Sequence, residues 1–136
     1  MLDRLYGLRD RATAVVHRDD GLLIVRDRGF RHYSLPGGGV KSGESPEDAV
    51  ARELEEETGL RALSVSPLLR CKTSDVFNTY LVYLVEATGD LRMNRLELSD
   101  ALWWDGHRQL PFFGYVRHVV RQLGWPNADG SGILTS

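Results

Sequence analysis

Glu53, Glu56 and Glu57 stand at i, i+3 and i+4 within the stretch GGVKSGESPEDAVARELEEETGL, Gly38 to Leu60. On a helix that spacing gathers three carboxylates on one side, with Glu55 and Arg52 expected to point elsewhere. Carboxylates crowded beside a buried seam repel one another and lose hydration, so their charged forms need compensation. A divalent cation supplies it, and hard oxygen donors suit Mg2+ or Mn2+. The simpler reading by composition alone is a solvated acidic helix face. Context decides between them.

The helix is clearly delimited. Ser45 is the expected N-cap, Pro46 takes the first helical position, and Asp48 completes a capping box. Gly59 supplies the C-terminal stop. Val50 and Leu54 set the buried side, and steps of about 100° per residue bring Glu57 next to that stripe. Glu53 and Glu56 fan away from it.

With this framework the stretch resembles the signature of the Nudix hydrolases, G-x5-E-x7-R-E-U-x-E-E-x-G-U, where U is a bulky aliphatic. Gly38, Glu44, Arg52, Glu53, Leu54, Glu56, Glu57, Gly59 and Leu60 fill every specified position. The resemblance implies a hydrolase that splits a diphosphate linkage in a nucleoside diphosphate joined to another group. It implies Mg2+ or Mn2+ in a shell of Glu53, Glu56 and Glu57, with the carbonyl oxygen at Gly37 commonly included. One of the acids, most often at the Glu53 position, activates water in parts of the family; others draw the base from a loop outside the box. Arg52 resembles the arginine that orients the glutamates by ion pairing, and at i, i+4 it can reach Glu56. Glu44 reads as a brace between loop and helix start, where negative charge is favoured.

Outside the box the resemblance singles out fewer residues. Glu97 sits where many relatives carry a further acid, ahead of a strand with the aromatic pair Trp103-Trp104. Arg26 ends a strand just before the glycine run, where some members use an arginine on substrate phosphates. Arg28, Arg31 and His32 extend that basic patch. Tyr33 takes the place of an aromatic before the L-P-G-G turn, read chiefly as packing, with base stacking as the alternative. Asn78, between Phe77 and Tyr80, could read a base edge. His17, His107 and His118 read as surface or helix-face histidines, and Cys71 as an inert thiol.

The elements that must position these residues follow from pattern. Arg11–His17 and Leu22–Arg26 read as strands joined by a turn at Asp20-Gly21. Ser34-Leu35 leads into a glycine loop at Pro36–Gly39, whose backbone can approach a ligand closely. After the helix, Ala62–Lys72 reads as a strand with an edge or bulge at Pro67, and Thr73-Ser74-Asp75 as a turn. Val76–Ala87 is the longest apolar run, a central strand buried on both faces in its second half. Thr88-Gly89-Asp90 breaks it, and Ala101–Trp104 forms a further strand. Pro111–Leu123 carries Phe112, Val116, Val119, Val120 and Leu123 at helical spacing, stopped by Gly124. The last dozen residues, from about 125, read as a loosely held tail.

By residue pattern the fold class is α+β, a mixed sheet between helices. The Nudix resemblance makes it an α/β/α sandwich, one domain over 1–136. The chain has 136 residues and a formal net charge of −2, which gives no reason to expect nucleic-acid or membrane affinity. A single cysteine excludes an internal disulfide and suits a reducing compartment. The charged N-terminus is unlike a signal peptide and no apolar run reaches membrane-spanning length, so a cytoplasmic protein is expected. The expected partner is a small nucleotide substrate; homodimer formation is left open.

Substrate choice in the family lies mostly outside the box. The proline that ADP-ribose hydrolases often carry after it is missing near Asp75, and Tyr80 lies slightly too far along to match the tyrosine of dinucleoside-polyphosphate hydrolases. These features favour a (deoxy)nucleoside triphosphate, oxidised ones included, cleaved to the monophosphate and pyrophosphate, and fit a broad-specificity housecleaning enzyme equally well. ADP-ribose or a nucleotide sugar is the alternative. A non-catalytic nucleotide-binding module is the alternative of another class, though such modules usually lose box glutamates and none is lost here. An isoprenoid-diphosphate isomerase would be expected to carry an active-site cysteine, and Cys71 falls outside the box.

Overall fold

Alternation along the first strand decides the layering. Ala12, Ala14 and Val16 pack with Ala49, Val50, Leu54, Leu60, Tyr83 and Val85, whereas Val15 packs with Tyr80, Val82, Val116 and Val119. Side chains on a strand point alternately to opposite faces, so one strand serves two cores. In the computed structural model, which describes residues 9–19 and 21–125, a helix covers each of these faces.

The elements in chain order are β1 (Arg9–Val15), β2 (His17–Arg18), β3 (Gly21–Asp27), β4 (Gly37–Gly39), α1 (Pro46–Thr58) and β5 (Arg61–Pro67). A short 3-10 turn over Leu69–Cys71, β6 (Thr73–Ser74), β7 (Asn78–Thr88), β8 (Leu98–Trp104) and α2 (Gly114–Leu123) complete them. A mixed sheet runs β4-β1-β7-β5 with β6 also on β7, and β2-β3-β8 forms a second, antiparallel sheet. β1 lies parallel to β7, with Arg11 opposite Tyr80, and antiparallel to β4, with Arg11 opposite Gly39. α1 closes one face of the mixed sheet and α2 the other, which is the expected α+β sandwich.

Several boundaries differ from the sequence reading. β2 and β3 pair with Arg18 opposite Gly21, so the connection is centred one residue earlier than Asp20-Gly21; Asp20 itself lies outside the described residues. The glycine run is not a loop: Gly37–Gly39 is β4. The strand expected over Ala62–Lys72 stops at Pro67, after which Leu68 N–H still bonds to the Val82 carbonyl before the chain turns into Leu69–Cys71, and Thr73-Ser74 pairs with β7 instead of turning. On β7 the run buried on both faces is central, Tyr80 to Val85, while Val76 and Phe77 are exposed. Phe112 precedes α2 and bridges to Tyr33 instead of riding on the helix. Trp125, placed in the tail, is 5 % exposed and belongs to the α2-side core. Its N–H bonds back to the Val120 carbonyl after Gly124 turns left-handed, a Schellman-type ending that folds the next apolar residue inward. The remainder of that tail, 126–136, lies outside the described residues. Among the described residues no helix is long and apolar enough to cross a membrane.

Candidate active site

α1 is held at both ends. Ser45 Oγ accepts from the Asp48 N–H at 3.1 Å, and Gly59, at φ 74°, donates its N–H to the Glu55 carbonyl. The loop after β7 satisfies further orphan carbonyls at the C-terminus: Arg92 N–H bonds to Thr58 O, Asn94 N–H to Glu57 O and Asn94 Nδ2 to Glu56 O. That stapling carries Glu97 close enough for its charge to act on Glu53.

β4 brings backbone against the acids. The Gly37 N–H donates to Glu57 Oε1 at 3.0 Å. Gly37 has φ 154°, and a side chain there would run into the Ala12 carbonyl of β1. At Gly38 a Cβ would strike the Glu53 carboxylate, with Oε1 at 2.6 Å. Gly37 needs glycine for this close approach of backbone to backbone.

Arg52 is the hub of the ridge, contrary to the expectation that it points away. Its guanidinium donates to Glu44 at 2.7 and 3.0 Å, to Glu53 Oε1 at 2.9 Å, to Glu56 Oε2 at 3.2 Å and to the Gly39 carbonyl at 3.3 Å. The bond from Arg52 holds Glu44 at about 2, well below the usual carboxylate range. Glu44 is thus the brace the sequence suggested.

Glu57 lies at the other electrostatic extreme. It is 6 % exposed. Burial pushes its carboxyl up to about 8; the Gly37 N–H opposes the shift, while Glu53 and Asp27 add to it. Burial also raises Glu53, opposed by Arg52 and assisted by Glu56 and Glu97. Asp27 is raised by burial and held down by Arg11. The negative charges of Glu53 and Asp27 thus act on Glu57, and those of Glu56 and Glu97 on Glu53, so the acids share one region. Such a region favours an added positive charge.

By donor type the set suits a hard divalent cation: carboxylates of Glu53, Glu56 and Glu57, Glu97 beside them, and the Gly37 carbonyl at the edge. The buried, up-shifted Glu57 is the observation that supports the fit, because a cation would restore its carboxylate. As they stand, the oxygens are turned toward Arg52 and the Gly37 amide, and no three such side chains among the described residues form a ready-made ligand group.

Beside the acids opens a cleft of 470 Å³, lined among others by Arg11, Asp27, Phe30, Asn78, Tyr80 and Phe113. That volume lies in the usual range for small-molecule sites, about 300–1,000 Å³. Tyr80 stacks on Tyr115 with centroids 3.9 Å apart, and its hydroxyl donates to Asp75 at 2.7 Å. The neighbouring Asn78 Nδ2 donates to the Tyr80 oxygen at 3.3 Å. Phe77, 70 % exposed, and the half-exposed Phe30 present apolar rings at the mouth.

Of the residues singled out for substrate, Asn78 is in this cleft. Arg26 is not among its lining residues: its Nε donates to Ser99 Oγ at 3.1 Å and its guanidinium lies over the Tyr33 ring, 5.3 Å from the centroid. Tyr33 is 3 % exposed, packs on Phe112 and bonds through its hydroxyl to Asp100, the packing role of the two considered. Arg28 is engaged with the Arg95 carbonyl at 2.6 Å. Arg11 and Asp27, neither singled out from the sequence, line the cleft instead. The sequence signal for Asp27 was a charge directly after an apolar strand; for Arg11 it was a charge directly before one.

A glycine strand pressed onto an acidic helix, in a mixed sheet covered by helices, is the arrangement of the Nudix fold. The NUDIX domain profile matches residues 7–118, and the chain belongs to this family. It is similar to a Nudix hydrolase family member from Chromobacterium violaceum, with TM-score 0.73 and 29% identity over 90% of this chain and 83% of that one. A MutT NUDIX hydrolase from Burkholderia pseudomallei shares the fold, with TM-score 0.71 and 23% identity over 85% and 97% of the two chains. Among curated relatives it is 30% identical over 132 residues to the RNA pyrophosphohydrolase of Stenotrophomonas maltophilia, covering 84% of this chain and 64% of that protein. It is 31% identical over 93 residues to the NAD-capped RNA hydrolase NudC of Photobacterium profundum, covering 65% of this chain. The match spans only 34% of the NudC protein, so this chain corresponds to part of the curated relatives' length.

Proposed function

We propose that this chain hydrolyses a diphosphate linkage in a nucleoside diphosphate derivative, with Mg2+ or Mn2+ held by Glu53, Glu56 and Glu57 and assisted by Glu97 and the Gly37 carbonyl. The observation that carries the reading is the buried Glu57 carboxyl, pushed up to about 8 among other acids, of which Asp27 lines the cleft. When bound, the divalent ion neutralises diphosphate oxygens and acidifies water. The chain does the rest. Arg52 orients Glu53 and Glu56 through its guanidinium fork. Gly37 fixes Glu57 through its backbone N–H, and the missing side chain at Gly38 leaves room for the Glu53 carboxylate. Glu53, partly buried and beside the ion-holding acids, is the group proposed to take the proton from the attacking water. Phe30, Phe77 and Phe113 offer apolar faces for a base, and Asn78 a polar contact for its edge.

The favoured substrate is a (deoxy)nucleoside triphosphate, oxidised ones included, giving the monophosphate. The 5′ end of RNA is the second reading, supported by the names of the two curated relatives above. The test is a panel with Mg2+ or Mn2+: NTPs, 8-oxo-dGTP, ADP-ribose, nucleotide sugars, dinucleoside polyphosphates and a 5′-triphosphorylated RNA oligonucleotide. Release of a monophosphate, or of a 5′-monophosphorylated RNA, from any of them is the expected outcome. Silence across the panel, with a nucleotide still bound, would instead mark a binding module.

A further inference from the structure

Arg11 stands at the junction between the acids and the apolar end of the cleft. It is the single cation among the described residues that line that cleft, beside the acids Asp27 and Asp75. Its side chain emerges from β1 opposite Tyr80 of β7, on the side of the sheet that carries the Tyr80–Tyr115 stack. Its charge reaches both ends: it opposes the up-shift of Asp27 and Glu57 on one side and of Tyr80 and Tyr115 on the other. Yet no ion pair joins Arg11 to Asp27 or Glu57; the ion pairs among the described residues are those of Arg52. The one side-chain hydrogen bond that Arg11 makes among the described residues is long, 3.4 Å from Nη2 to the Gly37 carbonyl. A guanidinium has five donors, and this contact engages one of them.

We infer that Arg11 is a substrate-binding residue that holds the phosphate nearest the nucleoside, the one kept by the monophosphate product. This rests on the hydrolase reading above and adds a specific role to it. A base among Phe30, Phe77 and Phe113, with its distal phosphates at the box acids, must pass its first phosphate across the junction between them. At that junction the chain offers a fork of N–H donors, the geometry that matches phosphate oxygens. Arg26, the residue expected for this task, is engaged elsewhere by Ser99 and Tyr33.

The test separates phosphate recognition from catalysis and from structure. Binding of the four ribonucleoside 5′-monophosphates and their parent nucleosides is measured by calorimetry in EDTA, for the wild type, Arg11→Gln and Arg11→Lys. The wild type is expected to bind at least one monophosphate about ten- to hundred-fold more tightly than its nucleoside, the range of a charge-assisted hydrogen bond. Arg11→Gln should bring the two affinities together. Arg11→Lys keeps the charge without the fork, guards against a folding defect, and should retain an intermediate preference. A purely structural Arg11 would lower thermal stability while leaving the phosphate preference intact, and that result overturns the inference. So does a wild type that shows no such preference while turning over a panel compound. Failure of the whole panel overturns the hydrolase reading instead.

Discussion

Glu57→Gln should make the metal-free protein more stable at about pH 8 while destroying its turnover. In the unfolded chain Glu57 titrates near 4.5; in the fold it titrates at about 8, chiefly because burial penalises its charge. Between those values the native state keeps a proton that the unfolded state releases, so stability falls as pH rises. The contribution is complete below about 4.5 and is lost by about 8, above which both states are ionised. At ~1.4 kcal/mol per pKa unit, a single isolated site would cost about 4 kcal/mol by pH 8. The charges of Glu53 and Asp27 couple to that of Glu57, so the expected loss is between about 2 and 4 kcal/mol. Glutamine keeps the shape and can still accept from the Gly37 N–H, but it cannot ionise. Urea denaturation in EDTA at about pH 5, 6.5 and 8 measures the effect, and the difference between variant and wild type isolates it from other carboxylates. The variant's stability should decline less across this range by that amount. Parallel curves for the two proteins would refute the assignment of buried strain to Glu57. Adding Mg2+ at the upper pH should then raise the wild-type melting temperature and leave the variant's nearly unchanged.

Further expectations concern neighbouring residues. Glu53→Gln should cut turnover by several powers of ten with the fold intact by circular dichroism; near-normal hydrolysis would remove Glu53 from its central role. Arg52→Lys keeps the charge but loses the fork on Glu44, Glu53 and Glu56, so acid unfolding should begin at higher pH. The sign follows from Glu44: a carboxyl held at about 2 adds stability above its usual value of 4.5, and that stability disappears as pH falls toward 2. Trp125→Ala opens the α2-side core and should cost about 3–5 kcal/mol in chemical denaturation; a loss well under 1 kcal/mol would return Trp125 to the tail.

What could be read from the sequence was local. Ser45, Pro46 and Gly59 delimit α1 through contacts within a few residues, and the 3.6-residue period placed Glu57 against the buried stripe. The apolar run of β7 was also visible as a strand, because β-branched and aromatic residues mark it directly. What was lost depends on pairing across long separations. Gly37–Gly39 has the composition of a loop and becomes β4 only because β1 lies antiparallel to it, Ala12 opposite Gly38. A run of glycines carries no side-chain pattern that could announce this register.

The exchange of Arg26 for Arg11 has the same origin and shows why strand-end charges mislead. β3 and β8 pair regularly from Leu22 opposite Trp104 to Arg26 opposite Asp100, and then slip, so that Asp27 faces Leu98. The skipped residue, Ser99, is the one whose hydroxyl accepts from Arg26 Nε. A bulge of this kind re-aims the side chains beside it, and here Arg26 is occupied at the rim while Asp27 faces the cleft. An acid at that point beside Glu57 requires a positive partner nearby, which neither Arg26 nor Arg28 supplies from its observed position. Arg11 supplies it from 16 residues earlier in the chain, through the parallel pairing of β1 with β7 that aligns it with Tyr80. The charge balance of the cleft therefore depends on a strand register and a bulge together.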